Sequence, residues 1–350
     1  MSIVYVGMSG GVDSSVSAFL LKEWGYDVRG ITLVLSGVEG ERKCCSIDEV
    51  KYAEYVCRYL GIPHEVISVK ELFKTKIINP FIREYSLGRT PNACVNCNLY
   101  FKFGYILEYA LSKGADFIAT GHYAKVESID GQYVLKEARD KVKDQSYFLA
   151  RLTKFQLSKV IFPLSDLTKE EVKLIAKEAG LPLKPHQRES QDLCFVPGDD
   201  INRFLLDQGI VKNQGLILDD TGNIVGSHEG IQFYTIGQRR GLRVRVGKKV
   251  YVKYKYLDSN TLVVSENANF TGLIGSKLNW IWNKPVQGGL FSVKIRYRSS
   301  GELANVEILD GERIKVTFRE KQFGVTPGQL AVLYSGDTVV GSAFIDESID

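Results

Sequence analysis

The sequence predicts an α/β protein in which a doubly wound parallel sheet occupies residues 1–200 and two small β-rich domains follow, the last a β-barrel. Three observations carry that prediction. A glycine pair, Gly10-Gly11, lies between an apolar run, Ile3 to Val6, and a stretch where Val16, Phe19 and Leu20 recur at helical spacing. Strand-like and helix-like segments then alternate, as repeated βα units do, until the character changes near Pro197. From about Gly215 onward the chain shows short alternating segments and turn signals in place of long helices.

The elements follow in order. Ile3 to Val6 is the first strand, and it runs into Ser9-Gly10-Gly11-Val12-Asp13-Ser14. Two adjacent glycines allow a sharp turn and a close ligand approach, while the N–H groups at the following helix start favour a phosphate. No Gly-Lys-Ser/Thr follows, so this anion cradle is not the common P-loop. Val28 to Leu35 reads as the second strand. Ser46 with Glu49 forms a capping box for a helix whose apolar face is Val50, Ala53, Cys57 and Leu60 and whose stop is Gly61. Glu65 to Val69 and Asp116 to Thr120 are further strands, and Gly121-His122 follows the latter at once. Ligands bind at the carboxyl ends of such strands, which puts the glycine loop and Gly121-His122 on one edge. Thr168 and Glu171 form a second capping box, opening a helix that stops at Gly180 before Pro182.

Beyond the change, Leu242 to Val246 places Arg243 and Arg245 on one strand face and three apolar residues on the other, and Phe291 to Arg298 repeats the device. Strands near Val306 to Leu309, Ile314 to Phe318, Ala331 to Tyr334 and Val339 to Ile345 are joined by Asp310-Gly311 and Ser335-Gly336-Asp337, which are hairpin signals. They predict a small antiparallel barrel. The expected domains are therefore 1–200, 201–275 and 276–350.

Composition narrows the class. The 350 residues suffice for two or three domains, and 44% hydrophobic with 25% charged residues is ordinary for a soluble globular chain. No run is long enough to span a membrane, so no membrane partner is expected and a cytoplasmic location is. In a reducing compartment six cysteines read as metal-binding or catalytic, while four histidines argue against a histidine-rich zinc site. The net charge of +4 is modest, but eight basic residues and no acidic one fall between Tyr234 and Leu257, interleaved with tyrosines. That pattern suits a phosphate backbone. Cys94-Val95-Asn96-Cys97 precedes an apolar helix expected near Phe101, which sets Cys97 at a helix N-terminus where the dipole favours thiolate. Redox, metal and coincidental readings of one CxxC all remain open. Cys57 fits an apolar helix face and is a bystander, as Cys44-Cys45 are expected to be.

Several strings together resemble the tRNA-specific 2-thiouridylase family of the ATP-pyrophosphatase (adenine nucleotide alpha hydrolase-like) superfamily. They are Gly7 to Ser14, Thr90-Pro91-Asn92 with Cys97-Asn98 and Lys102-Phe103, Thr120 to Tyr123, Lys143 to Ser146, Ser190 to Phe195, Tyr234 to Leu242, and Thr326 to Gln329. The resemblance runs almost end to end. It implies ATP-dependent adenylation of the wobble uridine O2 in tRNAs for lysine, glutamate and glutamine, then sulfur delivery from a cysteine persulfide charged by a cysteine desulfurase or sulfur-relay protein. By position, Cys97 matches the nucleophile and Cys194 the persulfide carrier. Gly7, Met8, Ser9, Gly10, Gly11, Val12, Asp13, Ser14, Leu33 and Gly121 match nucleotide contacts. Asn92, Ala93 and Cys94 match the residues facing the target base, and His122, Lys143, Asp144, Gln145, Arg296, Tyr297 and Gln329 match contacts to the tRNA anticodon stem-loop. Asp13 either orients a Mg²⁺ ion on the departing pyrophosphate or caps the helix. The family often has Asn-Pro-Asp where this chain has Asn92-Ala93-Cys94, which opens a second route in which Cys94, Cys97 and Cys194 hold a [4Fe–4S] cluster. Two rival functions stand beside these: another ATP-pyrophosphatase enzyme, such as a different tRNA thiolase or an amide-forming synthetase, and a non-catalytic tRNA-binding protein.

Overall fold

The computed structural model describes residues 1–35, 47–182, 193–282 and 288–350; Cys44, Cys45, Ser46 and the stretch from Glu189 to Asp192 lie outside them. In chain order the elements are β1 (Ile3–Gly7), α1 (Val12–Glu23), β2 (Asp27–Val34), α2 (Ile47–Leu60), β3 (His64–Ser68), α3 (Lys70–Phe73), α4 (Asn79–Ser86), α5 (Ala93–Cys97), α6 (Ile106–Ser112) and β4 (Phe117–Ala119). A hairpin, β5 (Lys125–Ile129) and β6 (Gln132–Lys136), precedes α7 (Ser146–Leu149), α8 (Lys154–Ser158), β7 (Val160–Ile161) and α9 (Lys169–Glu178). The remainder is α10 (Ile201–Asp207), then β8 (Gly215–Leu218), β9 (Ile224–His228), β10 (Tyr251–Tyr256), β11 (Thr261–Ser265), β12 (Asn269–Trp280), β13 (Gly289–Lys294), β14 (Glu302–Ile308), β15 (Ile314–Phe323), β16 (Leu330–Ser335) and β17 (Thr338–Ile349).

Two compact units result. One comprises Met1–Ile78, Ala93–Asp199 and Asp337–Val339; the other comprises Asn79–Asn92, Asp200–Gly336 and Val340–Asp350. The first contains a five-stranded sheet in the order β3-β2-β1-β4-β7, every neighbour parallel. Alternation along β1 shows why it is doubly wound. Val4 and Val6 join a core with Val16 and Leu21 of α1, Val56 of α2 and Val172 of α9. Tyr5 faces the other way, where its ring meets the edge of Tyr109 from α6 and its hydroxyl donates to Glu65. The second capping box forms as expected: Thr168 and Glu171 exchange both bonds of the motif at the start of α9, and Gly180 ends that region at φ +61°. The first motif rests on Ser46 and lies outside the described residues.

In the second unit, β10-β11-β8-β9 form a small sheet around Ile217, Val252, Leu262 and Val264. The order β12-β15-β14-β13-β16-β17 closes through a further β12–β17 pairing, giving the six-stranded antiparallel barrel that the hairpin signals predicted. Two expected strands differ. Residues 242–246 form no strand; Val244 makes a single bridge to Gly226, although Leu242, Val244 and Val246 still pack on the core while Arg243 and Arg245 are exposed. The strand at Phe291 stops at Lys294 and turns, because the Arg296 guanidinium is drawn inward by the carbonyls of Ile236 and Gly324 and the hydroxyl of Thr326. No helix among the described residues is long and apolar enough to cross a membrane.

Candidate active site

The loop after β1 is shaped by positions where no side chain fits. Gly10 has φ +73°, and a Cβ there would stand 2.8 Å from the Glu49 carbonyl oxygen. Gly121, following β4, abuts the same loop: its Cβ would meet the Asp13 carbonyl carbon and the Ser14 nitrogen at 2.7 Å. Ser14 Oγ lies 3.2 Å from Ser9 Oγ and donates to the Gly11 carbonyl, which closes the turn on itself. Gly11 is the N-cap of α1 and brings no side-chain cap. The helix therefore starts with backbone N–H groups that no side chain of the cap residue engages, a cradle suited to phosphate oxygens.

Asp13 does not cap that helix, which removes one of its two expected roles. Its carboxylate accepts from Lys169 Nζ at 2.6 and 2.7 Å and from the Tyr123 hydroxyl at 2.8 Å. Sequence reasoning missed Lys169. A signal existed: it is the first residue of α9, where a cation opposes the helix dipole. Tyr123 is held in turn by Gln145, whose N–H donates to its carbonyl at 2.7 Å and whose Oε1 accepts from its N–H at 3.1 Å. Leu33 and Met8 are buried at the same strand ends.

Cys94 and Cys97 lie on one helical run made of α5, a π-helical stretch over Asn98–Tyr105, and α6. Because this run begins at Ala93, Cys94 is in its first turn and Cys97 one turn on, not at the N-terminus as the sequence suggested. Three residues apart, they share a face. Cys94 is exposed, Cys97 buried and Cys194 half-buried. Phe73 packs edge-on against Phe101 at 5.4 Å and against Phe195 at 5.9 Å, so the segment carrying Cys194 and the helix carrying Cys97 share an aromatic neighbour. Among the described residues no three His, Cys, Asp or Glu side chains stand together as a metal-ligand set, and the Cys94, Cys97 and Cys194 trio does not gather as one. Cys57 is buried in the sheet core, and burial pushes its thiol up to about 12.

The residues matched to tRNA contacts divide. His122 is buried between Phe103 and Phe162, with Nδ1 on Thr120 Oγ1 at 2.8 Å; burial, then the Lys102 charge, holds its pKa well below the ordinary histidine value. Asp144 is buried too, accepting from the Ala138 N–H and the Ser146 hydroxyl, and burial raises its pKa. Lys143 and Gln145 are half-buried. In the second unit, Thr90 is a meeting point: its carbonyl accepts from Gln329 Nε2 at 2.7 Å, its N–H donates to the Pro327 carbonyl, and its hydroxyl is 3.2 Å from that of Thr235. Gly328 is required there, since a Cβ would lie 2.9 Å from Thr90. Segments around Thr90, Thr235 and Gln329, far apart in the chain, thus converge beside Asn92.

The basic stretch is less positive than it reads. Arg243 pairs with Glu229, Lys248 with Glu266 and Lys253 with Asp350, while Lys255 donates to the Tyr234 carbonyl and burial brings its pKa down to about 7. Arg239, Arg240, Arg245 and Lys249 are exposed and form no ion pair among the described residues.

Three family models cover this chain: a tRNA methyl transferase HUP domain over residues 2–198, a tRNA methyl transferase PRC-barrel domain over 202–266 and an aminomethyltransferase beta-barrel domain over 270–345. The relatives speak to the reaction. A tRNA-specific 2-thiouridylase MnmA 1 of Syntrophus aciditrophicus is 44% identical across 99% of this chain and 93% of its own length. MnmA proteins of Treponema denticola (45% identical, 98% of this chain, 97% of that one) and Halothermothrix orenii (43%, 99% and 100%) carry the same description.

Proposed function

The chain belongs to the tRNA-specific 2-thiouridylase family, and on that premise we propose how its own residues divide the reaction. It is an enzyme, a sulfurtransferase that makes 2-thiouridine in tRNA and consumes ATP. The loop from Gly7 to Ser14, with Leu33 and Gly121, holds the nucleotide; its backbone N–H groups take the phosphates, and the closeness of Gly121 keeps them aimed. A uridine oxygen, O2 of the wobble base, attacks the α-phosphorus, a P–O bond forms there, and the bond to the β-phosphate breaks with pyrophosphate leaving. A magnesium ion on that leaving group would neutralise charge, and Asp13 is the carboxylate available to it.

Sulfur follows from the cysteines. The outer sulfur of a Cys194 persulfide attacks C2 and AMP departs; the Cys97 thiolate then attacks the inner Cys194 sulfur, leaving sulfur on the base and a Cys97–Cys194 disulfide. A dithiol reductant resets the pair, and a cysteine desulfurase or relay protein reloads Cys194. The shared packing of Phe101 and Phe195 on Phe73 carries this reading, because it ties the two cysteine segments to one wall of the same unit. Among the described residues Cys94, Cys97 and Cys194 form no metal-ligand group, so sulfur is routed through the persulfide, with a [4Fe–4S] cluster on the three thiolates as the alternative. Asn92, Ala93 and Cys94 face the target base, and Lys143, Gln145, Tyr297, Gln329 and the exposed arginines meet the anticodon stem-loop of lysine, glutamate and glutamine tRNAs. His122, Asp144 and Arg296, the other positions matched to tRNA contacts, are held by bonds within their own units.

The test uses Cys97→Ala and Cys194→Ala. Each abolishes thiolation while tRNA-dependent pyrophosphate release and tRNA binding continue; thiolation retained in either variant overturns the assignment. Pyrophosphate release that ignores tRNA points instead to a different ATP-pyrophosphatase, and none at all to a binding protein. Iron and labile-sulfide analysis after anaerobic purification, repeated on Cys94→Ala, is expected to find neither at stoichiometric levels.

A further inference from the structure

The chain up to Ile78 and again from Ala93 builds the sheet unit, while the strap between them, α4 and the loop to Asn92, is part of the second unit. We propose that Arg89 is a specificity-determining positioning residue: it clamps this strap to the barrel and so fixes which uridine of the anticodon Asn92 meets.

Asn92 is assigned to the target base, and Tyr297 and Gln329 to the stem-loop, in the function proposed above, and the inference rests on that assignment. Arg89 is held at three points. Its Nε donates to Glu84 Oε2 at 2.8 Å, and its Nη2 donates to Asp346 Oδ1 at 3.1 Å and to the Ile345 carbonyl at 3.0 Å. The Arg89 side chain is 25% exposed and those of Asp346 and Glu84 are 29% and 33%, so the planar fork acts partly out of water, where charge-assisted bonds of fixed direction hold best. The Arg89 N–H also donates to the Glu84 carbonyl at 2.9 Å, which joins the clamp to the end of α4. One residue on, Thr90 is bound by the Pro327 carbonyl, Gln329 Nε2 and the Thr235 hydroxyl. The Ile345 carbonyl that takes Arg89 also takes the Gly328 N–H at 2.8 Å, so both anchors meet where β17 runs beside the turn before β16. Elsewhere along the strap, Phe81 meets the ring of Phe204 edge-on at 6.3 Å, and Gly88, at φ +66°, leaves no room for a side chain beside Leu257.

Slack decides the register. Pro91 has a fixed φ and keeps Thr90 extended, and two residues beyond Thr90 span at most about 7 Å, so Asn92 has little freedom once Arg89 and Thr90 are held. Neighbouring bases on a stacked strand are about 3.4 Å apart, and a strap displaced by that much meets the next nucleotide. Gln329 holds Thr90 and also belongs to the surface assigned to the stem-loop, so gripping the RNA and reading its base share one frame. A clamp that only finished α4 would need Glu84 alone. The reach to Ile345 and Asp346, 256 and 257 positions away, ties the strap to the barrel instead.

The lysine anticodon, complementary to AAA and AAG, is three uridines, which makes an error of register visible. The experiment gives the full chain magnesium ATP, a persulfide donor and unmodified lysine tRNA, and locates the inserted sulfur by mass analysis of nuclease fragments. The wild type is expected to place it at the wobble uridine. Arg89→Met is expected to thiolate about tenfold more slowly or worse and to raise the share of sulfur on the neighbouring anticodon uridines by about tenfold, with Arg89→Lys recovering part of both. Asp346→Asn moves the pattern the same way by less. A slower Arg89→Met whose sulfur stays at the wobble position makes Arg89 a brace for the fold and overturns the proposal, as does an unchanged rate and pattern. Should Arg89→Met fail to fold beside two unpaired carboxylates, the Arg89→Met/Asp346→Asn double variant is held to the same map. Wild-type thiolation that survives Asn92→Ala at full rate and position overturns the assignment of Asn92 to the base, whereas loss in Asn92→Ala beside an unshifted Arg89→Met removes Arg89 alone.

Discussion

At Cys57 the surroundings decide the chemistry of a thiol. Packed with Val56 and Leu60 under the sheet and pushed up to about 12, it stays protonated and inert near neutral pH. Iodoacetamide applied to the folded chain at about pH 8 is therefore expected to label Cys94 and spare Cys57, read by peptide mass; labelling of Cys57 first would contradict its placement. His122 gives the pH dependence. Its folded pKa lies well below 6.5, so as pH falls through that value the unfolded chain binds a proton that the folded chain refuses, and stability drops. His64 and His228 are lowered by burial as well and act with the same sign. In His122→Asn the loss of urea midpoint between about pH 7.5 and about pH 5.5 should be smaller than in the wild type; an unchanged loss would show that His122 is not its source. Residues of this kind explain what the sequence could not display. His122, Asp144 and Arg296 lie in strings that resemble a family's RNA contacts, yet their partners, Thr120, Ser146 and the carbonyls of Ile236 and Gly324, are set by packing. Lys169 was hidden for the same reason: its carboxylate is 156 positions away.

At the level of elements, local rules were readable and tertiary ones were not. The capping box of α9 is encoded within four residues, and the structure forms both its bonds. Thr168→Ala should cost about 1 kcal/mol of stability in denaturant unfolding, and an unchanged denaturant midpoint would contradict the cap. Gly121 carries a second element-scale prediction. A methyl group 2.7 Å from the backbone of the glycine loop must displace it, so Gly121→Ala should lose ATP binding by about tenfold or more while the far-UV circular dichroism is retained. Unchanged affinity would mean that the β4 end does not shape the nucleotide site. The stretch at 242–246 shows the opposite case. Its alternation correctly separated exposed arginines from packed apolar residues, but alternation alone supplies no partner strand, and only Val244 finds one. The barrel strands were legible because turns with Asp310-Gly311 and Ser335-Gly336 impose hairpins directly, Gly311 and Gly336 both adopting positive φ.

For the whole molecule, the net charge of +4 conceals how the charges are used. Glu229, Glu266 and Asp350 neutralise three cations of the basic stretch, a correction that only tertiary structure could supply, and leave Arg239, Arg240, Arg245 and Lys249 exposed. Replacing Arg239 and Arg240 by glutamate should weaken tRNA binding and lower the slope of log affinity against log salt by about 0.7–0.9 for each phosphate no longer neutralised. A weaker affinity with an unaltered slope would place the RNA elsewhere. The central claim is that one chain adenylates a uridine and then replaces its oxygen with sulfur. Its most direct measurement is nucleoside mass analysis of unmodified lysine tRNA incubated with the chain, α-labelled ATP and a persulfide donor. The account predicts 2-thiouridine at the wobble position with one AMP and one pyrophosphate per sulfur inserted; sulfur insertion without AMP, or ADP as the nucleotide product, would contradict it.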